Sequence, residues 1–292
     1  MKITILGNGS WGTAVGTLLT QNNHEFNFFQ PGEKIKSDSI LIVCIPTQVI
    51  RKVLKEAVVE NSKLIFINGA KGIELNTHKF PHDIAMDVLG RDLDYFSLIG
   101  PSFAAEVKNK MPTLVNLGYV NEENAPTVRD LFQTDYFRVK LTKGVKALEL
   151  ASAFKNIYAI ACGIADGLGF ETNTRVKLIM IAIQELNKLS KALAFQSDEN
   201  ALPGTVGDLI LTCNSNESRN FSFGKLLTQH TVEKSLELVG ETVEGFHTVE
   251  SVPYFENETG IKLSLAKFVY EVISDDNPKT IRSRFKEFVK HA

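Results

Sequence analysis

The sequence predicts an α/β first domain, built on a mostly parallel and doubly wound sheet, followed by an all-helical second domain. Three observations carry this. Through residue 142, short apolar runs alternate with helix-length amphipathic stretches, the pattern of repeated strand–helix units. Several of these runs lack polar alternation, as strands covered on both faces do. Beyond residue 142 the strand-like runs stop, and long stretches rich in Ala, Leu and Ile replace them.

In chain order, strands are expected at residues 3–6, 25–29, 40–45, 64–68, 96–99, 113–117 and 137–141. Helices are expected between them at 12–20, 48–59, 82–89 and 121–134. Residues 147–165 are apolar nearly all round and read as a buried central helix. Residues 172–195 form a second long helix, with Thr and Asn as cap candidates at its start. Shorter helical windows follow at 204–211, 221–229, 235–239, 248–257, 264–274 and 279–290. No linker rich in Pro, Gly or Ser marks the junction, so the change of pattern sets the boundary: domain one at 1–142, domain two at 143–292. A chain of 292 residues suits two domains of ordinary size.

Composition excludes several classes of function. The chain is 43% hydrophobic and 23% charged, enough apolar material for a core and too much for global disorder. Lys and Arg total 32 against 34 Asp and Glu, a net charge of -2, so a broadly basic nucleic-acid binder is excluded. Cys44, Cys162 and Cys213 are odd in number and far apart. They fit neither a disulfide framework nor a CxxC metal pair, and imply a reducing compartment. The six histidines are scattered, and none is assigned to catalysis or to a metal. No apolar run approaches the ~18 residues of a membrane span. The first strand follows directly on Met1-Lys2, leaving no room for a signal peptide, so a cytoplasmic location is expected.

The strongest local signal is Gly7-Asn8-Gly9-Ser10-Trp11-Gly12, directly after the first strand and opening a helix. The first glycine permits a tight turn, the second lets a pyrophosphate approach the backbone, and the third lets helix and strand pack closely. The helix N-terminus adds N–H groups and the positive end of a dipole. This is the Rossmann arrangement for a dinucleotide. The second strand, however, runs into Gln30-Pro31-Gly32, with neither an acid for a ribose hydroxyl nor an Arg for a 2′-phosphate. Residues 32–39 are too few for a crossover helix, so this edge of the sheet is abbreviated.

Other candidates rest on position. Lys155 lies in an otherwise apolar helical stretch, where burial would disfavour the ammonium and suit it to proton transfer. A lysine snorkelling from a helix face fits the same pattern. Lys71 and Gly100-Pro101-Ser102 follow the ends of strands, where open α/β sheets bind ligands. Ser218-Arg219-Asn220 suits an oxyanion, through the fixed donors of the guanidinium, and also suits an ordinary polar loop.

Taken with Lys71-Gly72-Ile73-Glu74, Gly100-Pro101-Ser102-Phe103-Ala104, Lys155-Asn156, Gly163-Ile164-Ala165-Asp166-Gly167, Asn173-Thr174-Arg175, Gly207-Asp208-Leu209, Thr212-Cys213 and Val243-Glu244-Gly245, these blocks occur in a fixed order along nearly the whole chain. Together they resemble the soluble, NAD(P)-dependent glycerol-3-phosphate dehydrogenase family. The resemblance implies interconversion of sn-glycerol 3-phosphate and dihydroxyacetone phosphate, running toward reduction to supply phospholipid synthesis, and admits a homodimer. It implies Lys155 as proton acceptor and donor, and Lys71 as an electrostatic anchor near both substrate and nicotinamide. It places Gly7, Gly9, Ser10, Trp11, Gly12, Lys71, Ala104, Arg219 and Glu244 on the cofactor. Lys71, Gly100, Ser102, Lys155, Asp208, Ser218, Arg219 and Asn220 fall on the substrate. Roughly thirty residues that the family usually carries after the second strand are missing, and Pro31 stands where bacterial members usually have Arg. Either NAD or NADP is therefore expected to work, with NADPH slightly favoured through Lys34 and Lys36. Two competitors share parts of the pattern. A β-hydroxyacid dehydrogenase has the same layout, but the Ser218-Arg219-Asn220 block argues against it. A non-catalytic dinucleotide sensor would not need all the catalytic blocks.

Overall fold

A computed structural model describes residues 2–36, 39–59, 63–90 and 93–291. Among them, seven strands form one sheet: β1 (Lys2–Leu6), β2 (Phe26–Phe28), β3 (Ser39–Val43), β4 (Leu64–Asn68), β5 (Asp94–Ile99), β6 (Thr113–Tyr119) and β7 (Phe137–Thr142). Their order across the sheet is β2-β1-β3-β4-β5-β6-β7, and every neighbouring pair is parallel except β5 with β6. The helices between are α1 (Ser10–Gln21), α2 (Thr47–Ala57), α3 (Pro81–Leu89), α4 (Ala104–Lys108) and α5 (Ala125–Asp130).

Strand period sorts the apolar residues onto two faces. Ile40, Ile42, Ile65 and Ile67 join Ala14, Val15 and Leu18 of α1 in one core. Their neighbours Leu41, Val43, Leu64 and Phe66 join Ile50 and Leu54 of α2 and Ile84 of α3 in the other. Two covered faces explain why these strands read as unbroken apolar runs.

The remaining elements are helical: α6 (Val145–Gly167), α7 (Thr172–Ala192), α8 (Asp208–Cys213), α9 (Arg219–Leu227), α10 (Val232–Val239), α11 (Glu244–Thr248), α12 (Val252–Thr259), α13 (Ser264–Asp275) and α14 (Pro278–His291). The chain forms two compact units, Met1–Glu149 with Gln196–Thr205, and Leu150–Phe195 with Val206–Ala292. The pattern change at 142/143 therefore does not coincide with the units. α6 starts within the first unit and continues into the second. Residues 196–205 return to the first because its strands satisfy their polar groups. Asn116 of β6 donates to the Asn200 carbonyl at 2.7 Å and accepts from the Gly204 N–H at 2.7 Å, and Thr142 donates to Asp198 at 2.8 Å.

Local departures from the expected elements have identifiable causes. Where 121–134 reads as one helix, only α5 forms. The Asn121 side chain accepts the Glu123 N–H in a turn of its own, and Pro126 sits in the first turn of α5. α4, with five residues, is too short to leave a periodic signal, and Lys110 closes it at φ 59°. The window 248–257 is broken into a 3-10 turn at Val249–Ser251 and then α12, which opens with Pro253. At the start of α7 neither Thr nor Asn caps; Glu171 holds that position without a side-chain bond. The segment 204–211 begins as a π turn at Pro203–Gly207. Finally, α6 does pass the length and composition test for a span, with mean hydropathy 1.2 over its best window, and that window is wholly buried inside the protein. It is a core helix.

Candidate active site

The loop after β1 divides its three glycines by purpose. Gly7 has φ +102°, and a Cβ there would stand 2.7 Å from the Cys44 carbonyl oxygen. A Cβ on Gly12 would stand 2.0 Å from the Gly7 carbonyl oxygen. Both serve the fold. Gly9 is different: its φ is -69°, and a Cβ would meet nothing within 4 Å. Among the described residues nothing fills that side of the backbone. α1 has neither a side-chain cap nor an acid in its first turn to meet its leading N–H groups. Trp11, in that turn, lies against Gly69 after β4, where a Cβ would be 2.7 Å from the indole nitrogen. The Trp11 Nε1–H is buried and has no partner. These residues fit a pyrophosphate at the helix start.

The Lys71 loop follows β4 and is tied at several points. Asn68 brackets Ala70, donating to its carbonyl at 3.1 Å and accepting its N–H at 2.9 Å. From the first turn of α2, Thr47 donates to the Lys71 carbonyl at 3.1 Å and Gln48 to the Ile73 carbonyl at 2.6 Å. Glu74 is paired with Arg51 at 2.8 Å. Burial works to raise the Glu74 carboxyl, but the hydrogen bonds from Arg51 and Thr77 outweigh it and hold the group below its usual range. Behind the loop lies Glu149, 1% exposed, whose oxygens accept from Asn68 at 3.1 Å, Tyr95 at 2.5 Å, Ser97 at 2.6 Å and the His82 N–H at 2.9 Å. Burial pushes its carboxyl above the ordinary 4.5.

At the end of β5 the fold itself accounts for Gly100, since a Cβ would stand 2.7 Å from the Val115 Cα of β6. The Ser102 hydroxyl is turned onto the Gly100 carbonyl at 3.0 Å. Ala104 opens α4 and packs against the core that α1 shares. His78 and His82 are four residues apart, but His78 stands in the turn before α3 at φ 54°, so the spacing does not put both on one helix face.

In the second unit Lys155 does not snorkel. It is 5% exposed, and its Nζ donates to Asp208 Oδ1 at 2.7 Å and to Thr212 Oγ1 at 2.8 Å. Asp208 and Thr212 stand one turn apart on α8 and so reach the same ammonium. Burying such a pair is costly unless both charges are paired and further bonds complete them, as the threonine does here. Asp208 was read as a substrate residue; its carboxylate is turned onto Lys155. The Cys213 thiol beside it is driven well above its ordinary 9.0 by burial and stays protonated.

α6 and α9 touch backbone to backbone. A Cβ on Gly163 would stand 2.0 Å from the Phe221 carbonyl oxygen, and one on Gly224 2.1 Å from that of Ile160. This brings Asn156 against Asn220, whose amide donates to it at 3.0 Å and accepts the Gly245 N–H at 2.8 Å. Asn156 in turn donates to Glu244, the first residue of α11, at 3.1 Å. The members of the polar block have different surroundings. The Ser218 hydroxyl caps α9 by accepting from Phe221, and the Asn220 amide is spent on the fold. What remains toward an anion is the first turn of α9 and Arg219, 45% exposed and joined to Glu241 at 3.3 Å across a solvated surface.

The lysines behind the lean to NADPH have partners and neighbours of their own. Lys34 donates to the Glu56 carbonyl near the end of α2 at 2.6 Å. Lys34 and Lys36 line a cavity with Glu33, Lys2 and Ser39, the last two opening β1 and β3. Ser37 and Asp38 of the short segment lie outside the described residues.

Comparison with known proteins decides the family. The model described as NAD-dependent glycerol-3-phosphate dehydrogenase N-terminus matches residues 2–36 and 30–125, and its C-terminus counterpart matches 144–281. The chain belongs to the NAD-dependent glycerol-3-phosphate dehydrogenase family. It is 34% identical to a glycerol-3-phosphate dehydrogenase (NAD(P)+) of Geobacillus thermodenitrificans, covering 95% of this chain and 92% of that one. A relative of the same name from Syntrophomonas wolfei is 32% identical, with 93% and 90% covered. The fold is that of the Coxiella burnetii glycerol-3-phosphate dehydrogenase crystal structure, TM-score 0.88 at 23% identity, with 99% of each chain covered. The N-terminal match breaks in two after β2.

Three contributors were missed as site residues. Asn156 and Thr212 lay inside quoted blocks, and Thr212 was recoverable from its four-residue spacing to Asp208. Glu149 left the same signal as Lys155, an ionisable residue in an apolar helix.

Proposed function

We propose that this dehydrogenase interconverts sn-glycerol 3-phosphate and dihydroxyacetone phosphate with a nicotinamide dinucleotide as hydride partner. The observation that carries the reading is the buried Lys155 ammonium, fixed between Asp208 and Thr212. A dinucleotide held by the glycine loop would supply the hydride acceptor or donor for C2. In reduction the Lys155 ammonium gives its proton to the ketone oxygen, and in oxidation the neutral amine takes the C2 hydroxyl proton. Asp208 and Thr212 hold Nζ in place. Lys71 stabilises negative charge on the reacting oxygen, preorganised by the bonds that fix its loop. Arg219 and the leading N–H groups of α9 take the phosphate. Gly100 and Ser102 line the substrate side, and Gly7, Gly9, Ser10, Trp11, Gly12, Ala104 and Glu244 the cofactor side. In the cell the reaction runs toward reduction in the cytoplasm and supplies glycerol 3-phosphate for phospholipids.

The test is turnover of dihydroxyacetone phosphate with NADH and with NADPH, compared between the natural chain and Lys155→Ala. The variant should lose at least ~10²-fold in kcat, the low end of general acid–base contributions, while its dinucleotide affinity stays nearly unchanged. A variant with undiminished kcat overturns the assignment.

A further inference from the structure

The acid that is absent from β2 returns from the turn after it. β2 runs parallel to β1 with Ile5 opposite Phe28, and the Phe29 N–H carries the pairing on by donating to the Ile5 carbonyl at 2.9 Å. Gln30 follows this last bond, and Gly7 likewise follows Leu6 at the end of β1. Gln30, Pro31, Gly32 and Glu33 then form a tight turn. The Glu33 N–H donates to the Gln30 carbonyl at 3.0 Å, and Gly32 has φ +92°. Across the same turn Glu33 Oε2 accepts the Gln30 N–H at 2.9 Å. A carboxylate is thereby fixed at the exit of β2, although its own residue lies five positions beyond the strand.

We infer that Glu33 makes this chain discriminate in favour of NAD(H) over NADP(H), standing in for the strand-end acid that reads a ribose 2′-hydroxyl. The inference rests on the reading that the Gly7–Gly12 loop holds the dinucleotide. Its chemistry is simple. A carboxylate accepts a hydrogen bond from a 2′-hydroxyl and repels a 2′-phosphate. Lys34 is bonded to the Glu56 carbonyl near the end of α2, and Lys2, Lys34 and Lys36 line one cavity with Glu33. Pro31, at the turn's second position, has no side-chain donor to offer a phosphate. The shortened segment after β2 is what permits the device, because a turn of four residues returns Glu33 to the strand it has just left.

The probe is built in. Trp11 is the only tryptophan and lies in the glycine loop, so its fluorescence reports dinucleotide binding without turnover. Dissociation constants for NADH and NADPH should be measured on the natural chain, on Glu33→Gln and on Glu33→Arg, with thermal melting as the check on folding. The natural chain should bind NADH at least ~10-fold more tightly than NADPH, a difference of about 1.4 kcal/mol. Glu33→Gln should narrow the gap mainly by tightening NADPH, and Glu33→Arg should reverse it. Added salt should narrow the natural chain's gap as well, since it screens repulsion between exposed charges. Equal affinities in the natural chain, or a gap that Glu33→Gln leaves intact, overturn the inference. If neither dinucleotide binds a folded chain, the reading of the glycine loop itself fails.

Discussion

At Gly9 the absence of a side chain has no internal explanation, and this makes the residue a clean probe of function. Its φ of -69° is open to any residue, and a Cβ there touches nothing. Gly9→Ala should fold with a stability change within about 1 kcal/mol, the scale of an unstrained Gly-to-Ala exchange. It should nevertheless bind dinucleotide more weakly, because the new methyl stands where the pyrophosphate approaches the backbone. Gly12→Ala is the contrasting case. Its Cβ collides with the Gly7 carbonyl at 2.0 Å, so the loop must deform and stability must fall with binding. Equilibrium urea unfolding and tryptophan titration on the two variants separate these outcomes. Equal binding by Gly9→Ala and the natural chain would remove the glycine's assigned purpose. The sequence made the motif legible at once but not this division of labour, which depends on Cys44, a residue remote from the loop in the chain.

Element boundaries were legible wherever period alone decides them. All seven strands could be placed because apolar runs bounded by turns leave few alternatives, and β2 survives as an edge strand of three residues. What could not be read is what bonds across the sheet. The partners of Glu149 lie from 52 to 81 residues away, on β4, β5 and the start of α3. No local pattern announces such a cluster. Similarly, the amide of Asn220 looks like a ligand donor in the sequence and is consumed by two helices, α6 and α11. The Glu149 cluster has a measurable pH signature. Burial raises its folded pKa above the ordinary 4.5, so its contribution to stability is complete below 4.5 and is lost as pH rises through the folded value. Glu149→Gln carries no such proton. Above pH 4.5 the natural chain should therefore lose stability relative to Glu149→Gln, with a slope of up to ~1.4 kcal/mol per pH unit. Denaturation midpoints for both chains from pH 4.5 to 8 test this, and a pH-independent difference would show that the buried carboxyl is not perturbed.

For the molecule as a whole, the decisive element is α6. Its residues from Ala147 to Ala165 are buried, with Glu149 serving the first unit and Lys155 the second. A helix propagates and melts cooperatively, so an unbroken buried helix couples the stabilities of the two units that share it. We expect one unfolding transition. Ligand binding offers a quantitative check. Dinucleotide at a hundred times its dissociation constant stabilises the folded chain by about 2.7 kcal/mol. With an unfolding entropy near 2.1 cal/mol/K per residue, a transition of all 292 residues should shift by about 4 °C. If only the first unit, roughly 160 residues, melted with the dinucleotide, the shift would be about 8 °C and a second transition would stay in place. Scanning calorimetry with and without NADH distinguishes the cases. A single peak moving by the smaller amount supports coupling through α6. Two peaks, one moving by the larger amount, would mean that the helix can fray at its middle and that the glycine loop and Lys155 belong to thermodynamically separate bodies.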